Sequence, residues 1–222
     1  MEKFAVLEYN NPIVMVGGGW VDWALLQQLV DKGYELIAAD GAVEGLVQKG
    51  YSPSAVIGDM DSLDQSVDLP SSIERVALEE QDTTDFEKCL YSTVAPRYVG
   101  LGFLGRRLDH SLASLSVLTK YAKSKRIVLV DEVDLVFAPD GEFRCRLPVG
   151  SRFSIFPLNA IQFERSEGLV YPLNDLKLEI GGLVGTSNET NAPIVRVSPK
   201  KNSGSYAILF SKVHLWKLLQ NF

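Results

Sequence analysis

The chain has 222 residues, 46% hydrophobic and 23% charged, the proportions of an ordinary globular protein with a core of normal size. Its formal net charge of −6 comes without a basic tail or block, which argues against nucleic acid as a partner but leaves room for a local cationic pocket. Two distant cysteines outside any CxxC pair speak against a zinc or disulfide framework, and no signal-like or bilayer-length apolar run occurs, so a cytoplasmic protein without a membrane partner is expected.

The first apolar run, 13–16, reads as a buried strand that stops at Gly17-Gly18-Gly19. Apolar residues at Leu25, Leu26, Leu29 and Val30 then predict a helix over 21–31, closed by Gly33. A strand over 36–39 ends at Asp40-Gly41, a short helix follows over 43–49, and a third strand over 55–57 ends at Gly58-Asp59. The same plan continues with strands at 75–78, 98–101 and 127–130, and helices at 84–91 and 109–122. Continuous apolar strands separated by amphipathic helices predict a parallel, Rossmann-like sheet covered on both faces. Beyond Asp134 the pattern changes to short segments at 135–138, 143–147, 153–157 and 194–197, broken by Gly, Pro, Asn and Ser, with one late helix near 213–219. These spacings predict an all-β second domain, sandwich or barrel-like. The boundary is expected between 131 and 141, giving an α/β domain over 1–136 and a β domain over 137–222.

Ligands of open parallel sheets bind beyond the carboxyl ends of the strands, so the residues following each run are the candidates for chemistry. There stand Asp40, then Asp59-Met60-Asp61-Ser62, then Asp82-Thr83-Thr84-Asp85, then Gly105-Arg106-Arg107-Leu108-Asp109-His110. Carboxylates gathered at one edge repel one another unless a cation joins them, and magnesium suits oxygen donors that also face a phosphate. Asp59-x-Asp61 therefore reads either as a metal site or as a turn with Asp61 or Ser62 capping a helix. The acids after the next strand favour the metal. Thr84 and Glu87 fit a capping box, and Asp85 in the first turn both suits the helix dipole and points toward the ligand edge. Lys88 reaches either a phosphate or solvent. Arg107 offers a phosphate-binding fork, and Asp109 is also a candidate N-cap. His110 reads as a packing or hydrogen-bonding residue rather than a base, and His214 receives no role. Gly17-Gly18-Gly19 matches neither a dinucleotide nor a Walker pattern, and reads equally as a phosphate loop or a tight turn.

In order, these segments resemble the thiamin pyrophosphokinase family: Ala39-Asp40-Gly41, Pro53 with Ile57-Gly58-Asp59-Met60-Asp61-Ser62, Asp82 through Lys88, and Gly105 through His110. Gly168-Leu169-Val170-Tyr171-Pro172-Leu173 and Thr186-Ser187-Asn188-Glu189 resemble the family's thiamin-binding domain. The resemblance implies a catalytic α/β domain and a β-sandwich domain in a homodimer that moves pyrophosphate from ATP to the hydroxyl of thiamin, giving thiamin diphosphate and AMP. It implies Asp59, Asp61 and Asp85 as magnesium-linked catalytic acids, Asp40 near the nucleotide or metal, Gly41 by the nucleotide, and Lys88 and Arg107 near its phosphates. Asp109 would orient Arg107 or help deprotonate the hydroxyl, and Ser187 and Asn188 would lie by thiamin, in a site formed across the dimer. This chain has Ala42 and Arg106 where the family pattern has glycine. Two rival expectations are a magnesium-dependent phosphohydrolase with an Asp59 nucleophile, and a thiamin- or nucleotide-binding sensor without turnover.

Overall fold

The computed structural model describes residues 7–61, 69–220 and 222; Ser62, expected as an alternative helix cap, lies outside them. The chain divides into two compact units, the first comprising 1–117 with 129–132 and the second 118–128 with 133–222.

In the first unit, β1 (Leu7–Glu8) is followed by β2 (Ile13–Val16), whose four residues are all buried. Burial on both faces explains the unbroken apolar run. The helix α1 (Trp23–Asp31) begins at Asp22, whose carboxylate accepts the Leu25 N–H, and stops where Gly33 takes a φ of 82°. Then come β3 (Glu35–Ala39), α2 (Ala42–Gln48), β4 (Ala55–Gly58) and β5 (Glu74–Ala77). Thr84 caps α3 (Asp85–Tyr91) by accepting the Glu87 N–H at 3.3 Å, the bond expected of the first half of a capping box. Next are β6 (Thr93–Val94) and β7 (Tyr98–Leu101), then α4 (Leu108–Tyr121) and β8 (Ile127–Val130), which the division at 117/118 and 128/129 cuts.

The strands run in the order β8-β7-β2-β3-β4-β5. β2 pairs in parallel with β3 and β7, β3 with β4, and β4 with β5. Their carboxyl ends therefore point the same way, which carries Gly17, Asp40, Asp59 and Gly102 to one edge. The β1–β6 pair, two residues long on each side, was not foreseen in the sequence because neither segment forms an apolar run.

The second unit contains β9 (Asp134–Phe137), β10 (Phe143–Arg146), β11 (Ser154–Pro157), β12 (Ile161–Glu167), β13 (Lys177–Leu178), β14 (Ile194–Pro199) and β15 (Tyr206–Ser211). A turn of 3-10 helix (Lys212–His214) leads into α5 (Leu215–Leu219). One antiparallel set runs β11-β15-β9, and a four-stranded antiparallel sheet runs β10-β14-β12-β13. Its aromatic core includes Phe153 stacked on Phe210 with ring centroids 5.9 Å apart, and Phe163 edge-on to Tyr206 at 5.2 Å. An α/β unit and a β-rich unit thus follow one another along the chain. No helix among the described residues is long and apolar enough to cross a membrane.

Candidate active site

The carboxyl edge of the first unit opens into a cavity of about 460 Å³, within the range of small-ligand sites. Its walls come from the Gly17–Gly19 turn, Asp40 to Ala42, Asp59, the 81–88 segment and the 102–107 loop.

Asp40 directly follows β3 with a φ of 42°, and its N–H donates to the Ile57 carbonyl at 2.9 Å. The side chain is buried, and its Oδ1 has no hydrogen-bond partner among the described residues. Gly58, at the end of β4, makes this placement sterically feasible: a Cβ there would lie 2.6 Å from the Asp40 Cβ. Asp59 comes next, and the turn at Met60 (φ 65°) brings Asp61 back so that the Asp61 N–H donates to Asp59 Oδ1 at 3.3 Å. Carboxylate oxygens of Asp40, Asp59 and Asp61 all lie within 4.8 Å of one another.

The compact trio thus contains Asp40 in the place expected of Asp85. Asp85 opens α3 on the far side of Lys88, whose Nζ stands 3.3 Å from Asp59 Oδ2 and 3.6 Å from Asp85 Oδ1. The Lys88 side chain is only 1% exposed, so its ammonium is committed to these two acids rather than to solvent. Burial raises the Asp85 pKa above the ordinary carboxylate value, and the nearby Asp40 charge adds to the effect. Burial also acts to raise Asp59, but hydrogen bonds from Gln81, the Asp61 N–H and Lys88 outweigh it and hold Asp59 at about 2.

Gln81 and Glu80 were not singled out in the sequence. Gln81 Nε2 donates to Asp59 Oδ2 at 2.9 Å. Glu80 accepts the N–H groups of Asp82 and Thr83, the Thr83 hydroxyl, and the Tyr91 hydroxyl at 2.8 Å, and so fixes the 80–83 loop. Neither residue belongs to a spacing pattern, and a lone amide or acid in a loop carries no signal of its own.

On the opposite wall, Gly17 and Gly19 donate their N–H groups to the Leu101 and Gly102 carbonyls, each at 2.8 Å. A Cβ on Gly17 would fall 2.8 Å from the Gly102 carbonyl oxygen. The glycine run therefore serves close backbone approach. Arg107 Nε and Nη2 donate to the Asp109 carboxylate at 3.2 and 2.6 Å. Asp109 lies inside the first turn of α4 rather than at its N-cap. The Arg107 hydrogen bonds hold the Asp109 carboxyl at about 2, below the ordinary carboxylate value. His110 is exposed at the cavity rim.

In the second unit, Ser187 is exposed with a φ of 59°, and its N–H donates to Ser154 Oγ at 3.0 Å. Asn188 is 4% exposed; its Oδ1 accepts the Tyr171 and Glu189 N–H groups, and its Nδ2 donates to the Tyr171 carbonyl at 2.7 Å. Asn188 thereby fixes the Val170–Tyr171 loop, whose two side chains are 43% and 67% exposed.

Fold and site define an α/β protein with an acidic, lysine-bridged cavity at its strand ends, extended by a β-rich unit. The model described as "Thiamin pyrophosphokinase, catalytic domain" matches residues 26–130, and "Thiamin pyrophosphokinase, vitamin B1 binding domain" matches 143–202. The chain belongs to the thiamin pyrophosphokinase family. Thiamin pyrophosphokinase 1 of Caenorhabditis elegans is 32% identical over 131 residues, covering 51% of this chain and 53% of that protein. Thiamine pyrophosphokinase 1 of Arabidopsis thaliana is 29% identical over 123 residues, covering 49% and 46%. The match thus spans about half the length of these curated relatives. In fold, the chain is similar to the crystal structure of thiamine pyrophosphokinase from Bacillus subtilis, with TM-score 0.75, 24% identity, and coverage of 90% of this chain and 99% of that one. The yeast enzyme structure gives TM-score 0.77 at 15% identity, covering 100% and 96%.

Proposed function

We propose that this protein is a magnesium-dependent thiamin pyrophosphokinase that transfers pyrophosphate from ATP to the hydroxyl of thiamin, releasing AMP. The observation carrying this reading is the buried Asp40 Oδ1, without a partner among the described residues, inside a trio of carboxylates at the strand ends. An anionic buried oxygen without a donor is costly unless a cation meets it. Three oxygen donors of this kind suit a hard divalent ion, so the residues fit magnesium. Asp40, Asp59 and Asp61 would hold it, with Asp85 beside them; when bound, it would offset charge on the phosphate oxygens.

The other cavity residues then have separable tasks. Lys88 favours the charged forms of Asp59 and Asp85 and holds the two side chains in place. Asp109 aims the Arg107 fork, which suits a phosphate group. Gly41 and Ala42 give the nucleotide close backbone approach beside Asp40. Ser187 and the exposed Val170–Tyr171 edge offer the β-rich unit's contact to thiamin. A Rossmann-like catalytic domain, a β-sandwich partner domain, a homodimer and a cytoplasmic location complete the reading.

The acids that follow the next strand and the β-rich unit favour this reading over a phosphohydrolase with an Asp59 nucleophile. Purified protein given ATP, Mg²⁺ and thiamin should form AMP and thiamin diphosphate in equal amounts. ADP as the sole nucleotide product, or saturable binding with no product at high enzyme concentration, would exclude it.

A further inference from the structure

Arg106 has a φ of 49°, a left-handed conformation that side chains other than Gly, Asn and Asp seldom adopt. Gly105 before it is also left-handed, at 74°. Ser111 of α4 pins this turn: the Gly105 N–H donates to Ser111 Oγ, and that hydroxyl donates to the Arg107 carbonyl, both at 3.1 Å. The consequence of the unusual backbone is a direction. Arg106 reaches across the cavity, and its Nη1 donates to the Gly18 carbonyl at 3.0 Å.

Three cations line the cavity, and their commitments differ. Lys88 is held by Asp59 and Asp85. Arg107 gives two donors to Asp109. Arg106 gives one donor to a neutral carbonyl, and the rest of its fork has no protein partner among the described residues. A guanidinium has five N–H donors, so four remain to receive an anion. Its anchor, Gly18, sits between two glycines whose amides are tied to Leu101 and Gly102, so the anchoring carbonyl does not swing freely.

We propose that Arg106 is a nucleotide-binding residue, whose Nη1 strap to Gly18 holds its guanidinium at the cavity mouth while the remaining fork receives the polyphosphate of the nucleotide. This inference rests on the nucleotide reading of the cavity, and it moves the main phosphate-facing charge from Arg107 to Arg106. A planar fork held on one edge presents the other edge pre-oriented, which suits two phosphate oxygens at once.

The test is an equilibrium titration of the full chain with ADP and, separately, with adenosine, for the parent, Arg106→Gly and Arg106→Lys. Glycine suits a φ of 49°, so Arg106→Gly should melt no lower than the parent. Its Kd for ADP should rise about 10-fold or more, the loss expected of a charged, bidentate contact. Adenosine affinity should stay within about twofold of the parent. Arg106→Lys keeps the charge without the fork and should recover part of the ADP affinity. In steady state, KM for the nucleotide should rise while kcat changes little, as for contacts made equally in ground and transition states.

ADP affinity of Arg106→Gly within about twofold of the parent overturns the proposal. So does equal weakening of ADP and adenosine with a lower melting temperature, which marks a purely structural strap. A parent that binds no ADP overturns it as well. A parent that binds ADP through Arg106 yet makes no thiamin diphosphate contradicts the proposed reaction alone.

Discussion

Replacing Lys88 by methionine keeps the buried stem and removes the ammonium that stands between Asp59 and Asp85. Nζ lies 3.3 and 3.6 Å from the two carboxylates, whose side chains are 13% and 40% exposed against 1% for Lys88. Stripping one partner from a fully buried pair costs about 3–5 kcal/mol. Water reaches Asp85, and to a lesser degree Asp59, so a loss of about 2–3 kcal/mol is expected here. For 222 residues that corresponds to a melting temperature lower by about 5–10 °C in the presence of chelator. Magnesium should shrink the deficit, because a cation among the same carboxylates replaces part of the missing charge. Thermal melts of parent and Lys88→Met, with chelator and with Mg²⁺, read both effects. An unchanged melting temperature in chelator would refute the role assigned to the lysine. A deficit that magnesium leaves untouched would refute the link between the lysine and the proposed metal site.

Asp40→Asn should leave the chelated protein as stable as the parent, abolish the magnesium-induced rise in melting temperature, and lower the reaction rate about a hundredfold; retention of the magnesium response would remove Asp40 from the metal trio. Gly58→Ala forces a Cβ to 2.6 Å from that of Asp40, so it should cost about 1–3 kcal/mol in urea unfolding and weaken magnesium binding. A parental unfolding midpoint and magnesium affinity would refute that steric account. Asp59 is held at about 2, below its unfolded value of about 3.9, so its contribution is present above pH 4 and lost as pH falls toward 2. Asp85, with its pKa raised, takes up its proton earlier on acidification, and the lost repulsion toward Asp40 opposes the decline. Urea midpoints from pH 6 to pH 2 should therefore fall mainly below pH 4 in the parent, and Asp59→Asn should show a shallower fall there, with the exposed Asp109 pair keeping a small part of it. Identical curves would contradict the assignment.

The strands β2, β3, β4, β7 and β8 were readable because burial on both faces leaves an unbroken apolar run. α1, α3 and α4 were readable from apolar spacing and, for α3, from Thr84 as cap. β12 and β15 went unmarked: β12 alternates buried Ile161 and Phe163 with polar neighbours and then breaks register at a bulge, so it shows no continuous run. The acidic edge was legible because parallel strands bring their carboxyl ends together whatever the details. The grouping within it was not. Asp40 joins Asp59 and Asp61 through a positive φ and the missing Cβ of Gly58, and neither is visible as a pattern of charge. Asn188 was marked for thiamin, but its amide is largely used in fixing the loop at Tyr171, a bond partner 17 residues away. Arg106 stood out as an arginine at a glycine position; its reach to Gly18, 88 residues distant in sequence, needed the folded chain.

Pyrophosphoryl transfer requires two phosphates to leave ATP together, and position-specific labelling reads this directly. With ATP labelled at the β-phosphate in one reaction and at the γ-phosphate in another, both labels should appear in thiamin diphosphate in equal yield, with AMP unlabelled in each. Transfer of the γ label alone, with the β label retained in ADP, would contradict pyrophosphoryl transfer.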